Sequence, residues 1–187
     1  MEVSFFFKGR PNRSAFSRDV LVHSEGLYRY ALRLTRNEAE AEDLVQEALL
    51  KAYRAYGRTR ADSNHRAWVF TILRNEFISR GRRAGREIAV AETDHHVDTA
   101  PQLAFADRWE DRMSDEVMFA LDQLGELHRS VIVLCDIEGL SYQEISQVLA
   151  CPIGTVRSRI FHARRQLREQ LKVYARQFGM EDIHEAV

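Results

Sequence analysis

The sequence predicts an all-α protein made of two small helical domains joined by an acidic linker, and three observations lead there. Period-two alternation with β-branched enrichment is nowhere sustained, so strands have no signal. Apolar residues recur instead at three- and four-residue steps through two long stretches of the 187-residue chain. Charge is also segregated, the formal net of −1 being the balance of strongly opposed blocks.

Met1 to Arg13 form an N-terminal extension with no assignable role. Its apolar run, Val3 and Phe5 to Phe7, is too short for a signal-peptide core. No later apolar run approaches the roughly 20 residues that span a bilayer, so a cytoplasmic protein is expected. An apolar fraction of 45% is enough to build cores. A first helix, about 14 to 36, puts Phe16, Val20, Leu27, Ala31 and Leu34 on one stripe. A second, about 38 to 56, stacks Ala41, Leu44, Val45, Ala48, Leu49, Ala52 and Tyr53, with Asn37 as its N-cap. Gly57 to Asn64 has turn composition. A third helix, about 65 to 83, buries Val69, Phe70, Leu73 and Phe77, which gathers Trp68, Asn75, Ser79 and Arg82 on the opposite face. These elements make a first domain over 14–86.

From 87 to 112 the pattern decays into small, acidic and turn residues with Pro101, the composition of a flexible linker, with one helical turn near Leu103 to Trp109. Helices resume near 114–123, 127–138, 141–149 and 153–177, a second domain over 113–177 followed by a tail, 178–187. Ser141-Tyr142-Gln143-Glu144 is a capping box, where serine and glutamate satisfy each other's orphan amides. Ile145, Val148 and Leu149 form the inner face of the short helix, and Ala150-Cys151-Pro152-Ile153 a tight turn with proline at a tolerated position. The next helix has Val156, Ile160, Ala163, Leu167 and Leu171 inside. Ser158, Phe161 and Arg165 lie opposite, flanked by Arg157, His162 and Arg168. This is a helix-turn-helix whose second helix offers hydrogen-bonding and cationic groups to a major groove.

The charge blocks fit nucleic-acid binding. Residues 38–47 carry Glu38, Glu40, Glu42, Asp43 and Glu47 with no base. Residues 66–86 hold Arg66, Arg74, Arg80, Arg82, Arg83 and Arg86 against Glu76 alone, a local net of +5. Residues 87–118 are net −7, and 154–172 return to +5 through Arg157, Arg159, Arg164, Arg165, Arg168 and Lys172 against Glu169. Two basic surfaces thus flank an acidic connector, as two phosphate-binding modules on a tether would. Cys135 and Cys151, with no extracellular signals, read as reduced, part-buried thiols.

Leu124-Gly125-Glu126-Leu127-His128-Arg129, Val131 to Leu134, Glu138-Gly139-Leu140-Ser141-Tyr142-Gln143-Glu144-Ile145 and Gly154-Thr155-Val156-Arg157-Ser158-Arg159 resemble region 4 of extracytoplasmic-function (ECF) sigma factors of the sigma-70 family. Ala41-Glu42-Asp43-Leu44-Val45-Gln46-Glu47-Ala48 and Ala67-Trp68-Val69-Phe70-Thr71-Ile72-Leu73-Arg74-Asn75 resemble region 2 of the same family. The resemblance covers about 14–86 and 113–172. It implies a non-enzymatic initiation factor that needs no cofactor or metal, whose partners are core RNA polymerase, promoter DNA and a cognate anti-sigma factor. It implies polymerase docking through Asp43, Leu44, Gln46 and Glu47. The melted minus-ten element would be held by Arg66, Trp68, Arg74, Asn75, Ser79, Arg80, Arg82 and Arg83, with the Gly57 to Asn64 loop. Thr155, Arg157, Ser158, Phe161, His162 and Arg165 would meet the minus-thirty-five element, with GGAAC or a shorter AAC core as the expected sequence. Strand separation needs a cationic surface and aromatic groups for unstacked bases, which agrees.

The chain departs from the family at Gly125, where proline is usual, at Leu73, where alanine is, and at His162, a common arginine. Trp68 also suits the edge of the helical core, and both readings stand. Asp94-His95-His96 with Asp98 has the look of a metallophosphoesterase site but sits in a linker, without the strands and outer shell that fix such ligands. A dimeric helix-turn-helix regulator working without polymerase accounts for 141–171 and gives 38–83 no role.

Overall fold

A computed structural model describes residues 13–60, 63–85 and 115–177, and every described regular element is helical. The expected linker, the turn near Leu103, the N-terminal extension before Arg13, the tail, and Asp94-His95-His96 with Asp98 lie outside the described residues.

The first unit comprises α1 (Arg13–Asp19), a 3-10 turn (Leu21–His23), α2 (Ser24–Thr35), α3 (Glu38–Tyr56) and α4 (His65–Arg83). The single helix expected over 14–36 is broken at Val20, whose φ of −126° leaves the helical region. Val20 is nonetheless fully buried, with Phe16, Leu27 and Ala31. The apolar stripe runs on across the break, so periodicity carries no trace of it. α2 ends at Arg36 in the left-handed region (φ 55°), its amide closing onto the Leu32 carbonyl at 2.8 Å. Asn37 then caps α3, its side-chain oxygen accepting from the Glu40 amide at 2.9 Å. α2 packs on α3 and α3 on α4, around Leu27, Tyr30, Leu44, Ala48, Phe70 and Leu73. Phe77, expected inside, is half-buried, while Arg74, Glu76, Ile78 and Gly81 are buried, so the covered part of α4 is wider than one apolar stripe.

Later in the chain come α5 (Asp115–Asp122), α6 (Glu126–Ile132), a π-helical turn (Val133–Ile137), α7 (Tyr142–Leu149) and α8 (Ile153–Gln177). α5 and α6 pack on α8. The C-terminal end of α5 is closed by a side chain: Arg129 is 7% exposed and donates to the carbonyls of Leu121 (3.1 Å), Asp122 (2.9 Å) and Leu124 (2.7 Å). The helix expected over 127–138 widens at its end, where the Glu138 amide reaches back to the Val133 carbonyl at 2.9 Å. Gly139 follows at φ +66°, a conformation glycine adopts without steric cost.

Candidate nucleic-acid and polymerase interfaces

On α3, Asp43, Gln46 and Glu47 are exposed along one face. Leu44, expected in the docking surface with them, is at 0% exposure and lies beneath this face. The face is tied to α4 by Arg80, whose Nη2 donates to the Asp43 carbonyl (2.9 Å) and pairs with Glu47 (3.2 Å). The sequence signalled none of this, since a charge count cannot say which cation is spent inside the domain.

α4 begins at Asn64, whose side-chain oxygen accepts from the Ala67 amide at 3.0 Å. Asn75, Ser79, Arg82 and Arg83 are exposed, and Arg66, Trp68 and Arg80 half-buried. The expected polar face with an aromatic at its edge is therefore formed. Arg74, expected among the strand contacts, is 6% exposed in the free chain. Arg83 donates to the Ser79 carbonyl (3.2 Å) and to Glu76 (2.8 Å). Glu76, the one acid among these arginines, is 3% exposed and also holds Lys51 of α3. Burial pushes its pKa up, but the Lys51 hydrogen bond and the Lys51 and Arg83 charges outweigh that and hold it below the ordinary glutamate value. Its isolation in a basic run was the available signal.

The helix-turn-helix is built as its sequence implies. Ser141 Oγ and the Ser141 amide both donate to Glu144 Oε2 at 2.7 Å, and the Glu144 amide returns to Ser141 Oγ at 3.3 Å. Ala150 sits in the turn at φ 51°. The Pro152 carbonyl accepts from Thr155 and Val156, so proline caps α8 from just outside it. Val156, Ile160 and Ala163 are buried. Arg157, Ser158, His162 and Arg165 are exposed, Phe161 is 65% exposed, and Thr155 is half-buried. Phe161 and His162 meet edge-on at 5.5 Å, and Ser158 Oγ donates to the Thr155 carbonyl at 3.0 Å. Arg164, one residue before the outward Arg165, turns to Asp136 and grips both carboxylate oxygens at 2.6 and 3.2 Å.

Cys135 and Cys151 are free thiols, each half-buried. Burial first, then the Asp136 charge, pushes the Cys135 thiol up to about 11, so the reactive thiolate is scarce at neutral pH. Among the described residues there is no group of three or more His, Cys, Asp or Glu placed to hold a metal, and no helix long and apolar enough to cross a membrane.

Comparison with known proteins agrees with this arrangement. Residues 20–87 match the family model of sigma-70 region 2, and residues 114–167 that of sigma-70 region 4. The RNA polymerase sigma-H factor of Pseudomonas aeruginosa is 34% identical, over 90% of this chain and 92% of its own. The ECF sigma factor EcfG of Rhodopseudomonas palustris is 34% identical over 95% and 97%. Among solved structures, the sigma factor RpoE of Bartonella quintana, in complex with the anti-sigma factor NepR, superposes with a TM-score of 0.70 at 34% identity, over 86% of this chain and 98% of that one. CnrH, solved with the cytosolic domain of CnrY, gives 0.63 at 27% identity, over 87% and 91%. The region 2 match accounts for 38–83, which a polymerase-independent regulator leaves without a role. The chain belongs to the extracytoplasmic-function sigma factors of the sigma-70 family, which direct RNA polymerase to promoters.

Proposed function

We propose that this factor works through three surfaces on two domains, 14–86 and 113–177, linked by 87–112. Asp43, Gln46 and Glu47 dock on the clamp coiled coil of the polymerase's largest subunit. Arg66, Trp68, Asn75, Ser79, Arg82 and Arg83 take the melted minus-ten strand, with Arg80 steadying α4 against the docking helix. Thr155, Arg157, Ser158, Phe161, His162 and Arg165 read the minus-thirty-five element. The chain performs no chemistry of its own and acts in the cytoplasm, where the polymerase is. A cognate anti-sigma factor restrains it, a reading supported by the related RpoE, solved with NepR, and CnrH, solved with CnrY.

The observation that carries the reading is the pairing of an aromatic with cations on two separate helices: half-buried Trp68 on α4 and exposed Phe161 on α8. Single-strand capture and major-groove reading each call for that combination. Run-off transcription with core polymerase on templates with GGAAC or AAC minus-thirty-five elements tests it. The double variant Asp43→Ala, Gln46→Ala should lose holoenzyme in size exclusion while still binding a minus-thirty-five duplex. Undiminished comigration with core polymerase would place docking elsewhere.

A further inference from the structure

One cluster at the start of α4 lies behind the minus-ten surface and includes a residue, His65, with no part in the surfaces above. Thr59 Oγ1 lies 2.7 Å from the Tyr56 carbonyl and 3.2 Å from His65 Nε2. A hydroxyl has one proton to give, and here it goes to the carbonyl. At the imidazole contact the oxygen is therefore the acceptor, and Nε2 carries the hydrogen. That bond fixes the ring and ties the loop after α3 to the first residue of α4. The His65 ring meets two aromatic neighbours: Tyr56, centroids 5.3 Å apart at 43°, and Trp68, 6.1 Å apart and edge-on at 80°. Tyr56 is itself held, its hydroxyl donating to Asp19 Oδ2 at 2.5 Å and its ring meeting buried Phe16 edge-on at 5.4 Å. Ring contacts thus run unbroken from Phe16 on α1, through Tyr56 on α3 and His65, to Trp68 on α4.

We propose that His65 is a positioning residue for capture of the minus-ten strand: it braces the Trp68 indole in the orientation on which an unstacked base is received. The inference rests on Trp68 being a strand contact. A base gains most from a platform already ordered, since a loose indole must give up its rotational freedom when the strand arrives. His65 spends that entropy during folding instead, through a ring contact on one edge and a hydrogen bond to Thr59 on another. A histidine suits the task because one ring offers both an aromatic edge and a directed N–H.

The chain has two tryptophans, so Trp109→Phe leaves Trp68 as the sole emitter. In that background the fluorescence anisotropy of Trp68 is recorded on the free factor, and a dye-labelled fork-junction promoter fragment bearing a single-stranded minus-ten element is titrated with holoenzyme. Trp68→Ala should weaken binding about tenfold, the scale of one stacked base. His65→Ala should weaken it about threefold, the scale of one side chain left to be ordered, with the Trp68 anisotropy falling. His65→Gln, whose amide N–H can still reach Thr59, should recover part of both, while core binding and minus-thirty-five duplex binding stay at parent level in all variants. If Trp68→Ala weakens the fork and His65→Ala neither does so nor frees the indole, the brace is wrong and the strand contact stands. If His65→Ala depresses core binding equally, the residue serves only the fold and the inference fails. If Trp68→Ala binds like the parent, the strand-contact reading falls, and this inference with it.

Discussion

A carboxylate at 3% exposure keeps its charge only where cations come to it, and Glu76 draws Lys51, Arg83 and, at 3.9 Å, Arg80. Its folded pKa lies below the ordinary value, so the stabilisation it gives is fully present above the unfolded pKa, about 4.3. That stabilisation is lost as pH falls through the folded value. Glu76→Gln should cost about 1–3 kcal/mol near neutrality, and the variant should lose less further stability on acidification than the parent. Urea midpoints at neutral and acid pH decide the matter, and parallel profiles would assign the acid limb to other groups. On α8 the outward residues divide by what they touch. Losing Arg157 or Phe161 should cost about 1–3 kcal/mol and relax preference at one base pair. Losing Arg165 should weaken all sequences alike and flatten the salt dependence. Matched and scrambled minus-thirty-five duplexes at two salt concentrations separate the classes, and equal losses on both duplexes would leave α8 supplying charge without sequence readout.

At the scale of the element, the ends of α3 and α4 were legible because Asn37 and Asn64 are caps with a local signature. The capping box at Ser141 was legible for the same reason. What escaped were features that leave the apolar spacing intact: the break at Val20, and the π-helical turn, which adds a residue where the helix was already ending. The candidate surfaces were legible as faces, since 100° bookkeeping puts Asn75, Ser79 and Arg82 outward. Depth and pairing were not, and so Leu44, Arg74 and Arg80 read as free groups until their neighbours were known. Gly125 begins α6 at φ −56° and ψ 151°, with open space around a Cβ placed there. Proline fits that φ, so Gly125→Pro should stabilise the domain by about 0.4–1 kcal/mol through the unfolded chain. Calorimetry should find the melting temperature a few degrees higher, and a fall would mean that the preceding residue resists the ring.

For the whole molecule, charge is distributed by task. The +5 blocks span 66–86 and 154–172, and the acidic 87–112 segment lies between them in sequence. Like-charge repulsion should keep that segment off DNA, and about 25 extended residues reach on the order of 80 Å. Limited proteolysis of the free protein should cut first between Glu87 and Arg112. Resistance there would argue for one compact domain.

The grip of Arg164 on Asp136 makes the outer face of α8 an exchangeable part. Val156, Ile160 and Ala163 fasten the helix from within and Arg164 from its exposed flank, leaving residues 157, 158, 161, 162 and 165 free to be rewritten as a set. Grafting those five side chains from a relative with another promoter preference, and leaving the fasteners untouched, should reprogramme the factor at unchanged melting temperature. Reporter output from the donor's promoter, in cells that keep both factors, would measure how orthogonal the transplant is.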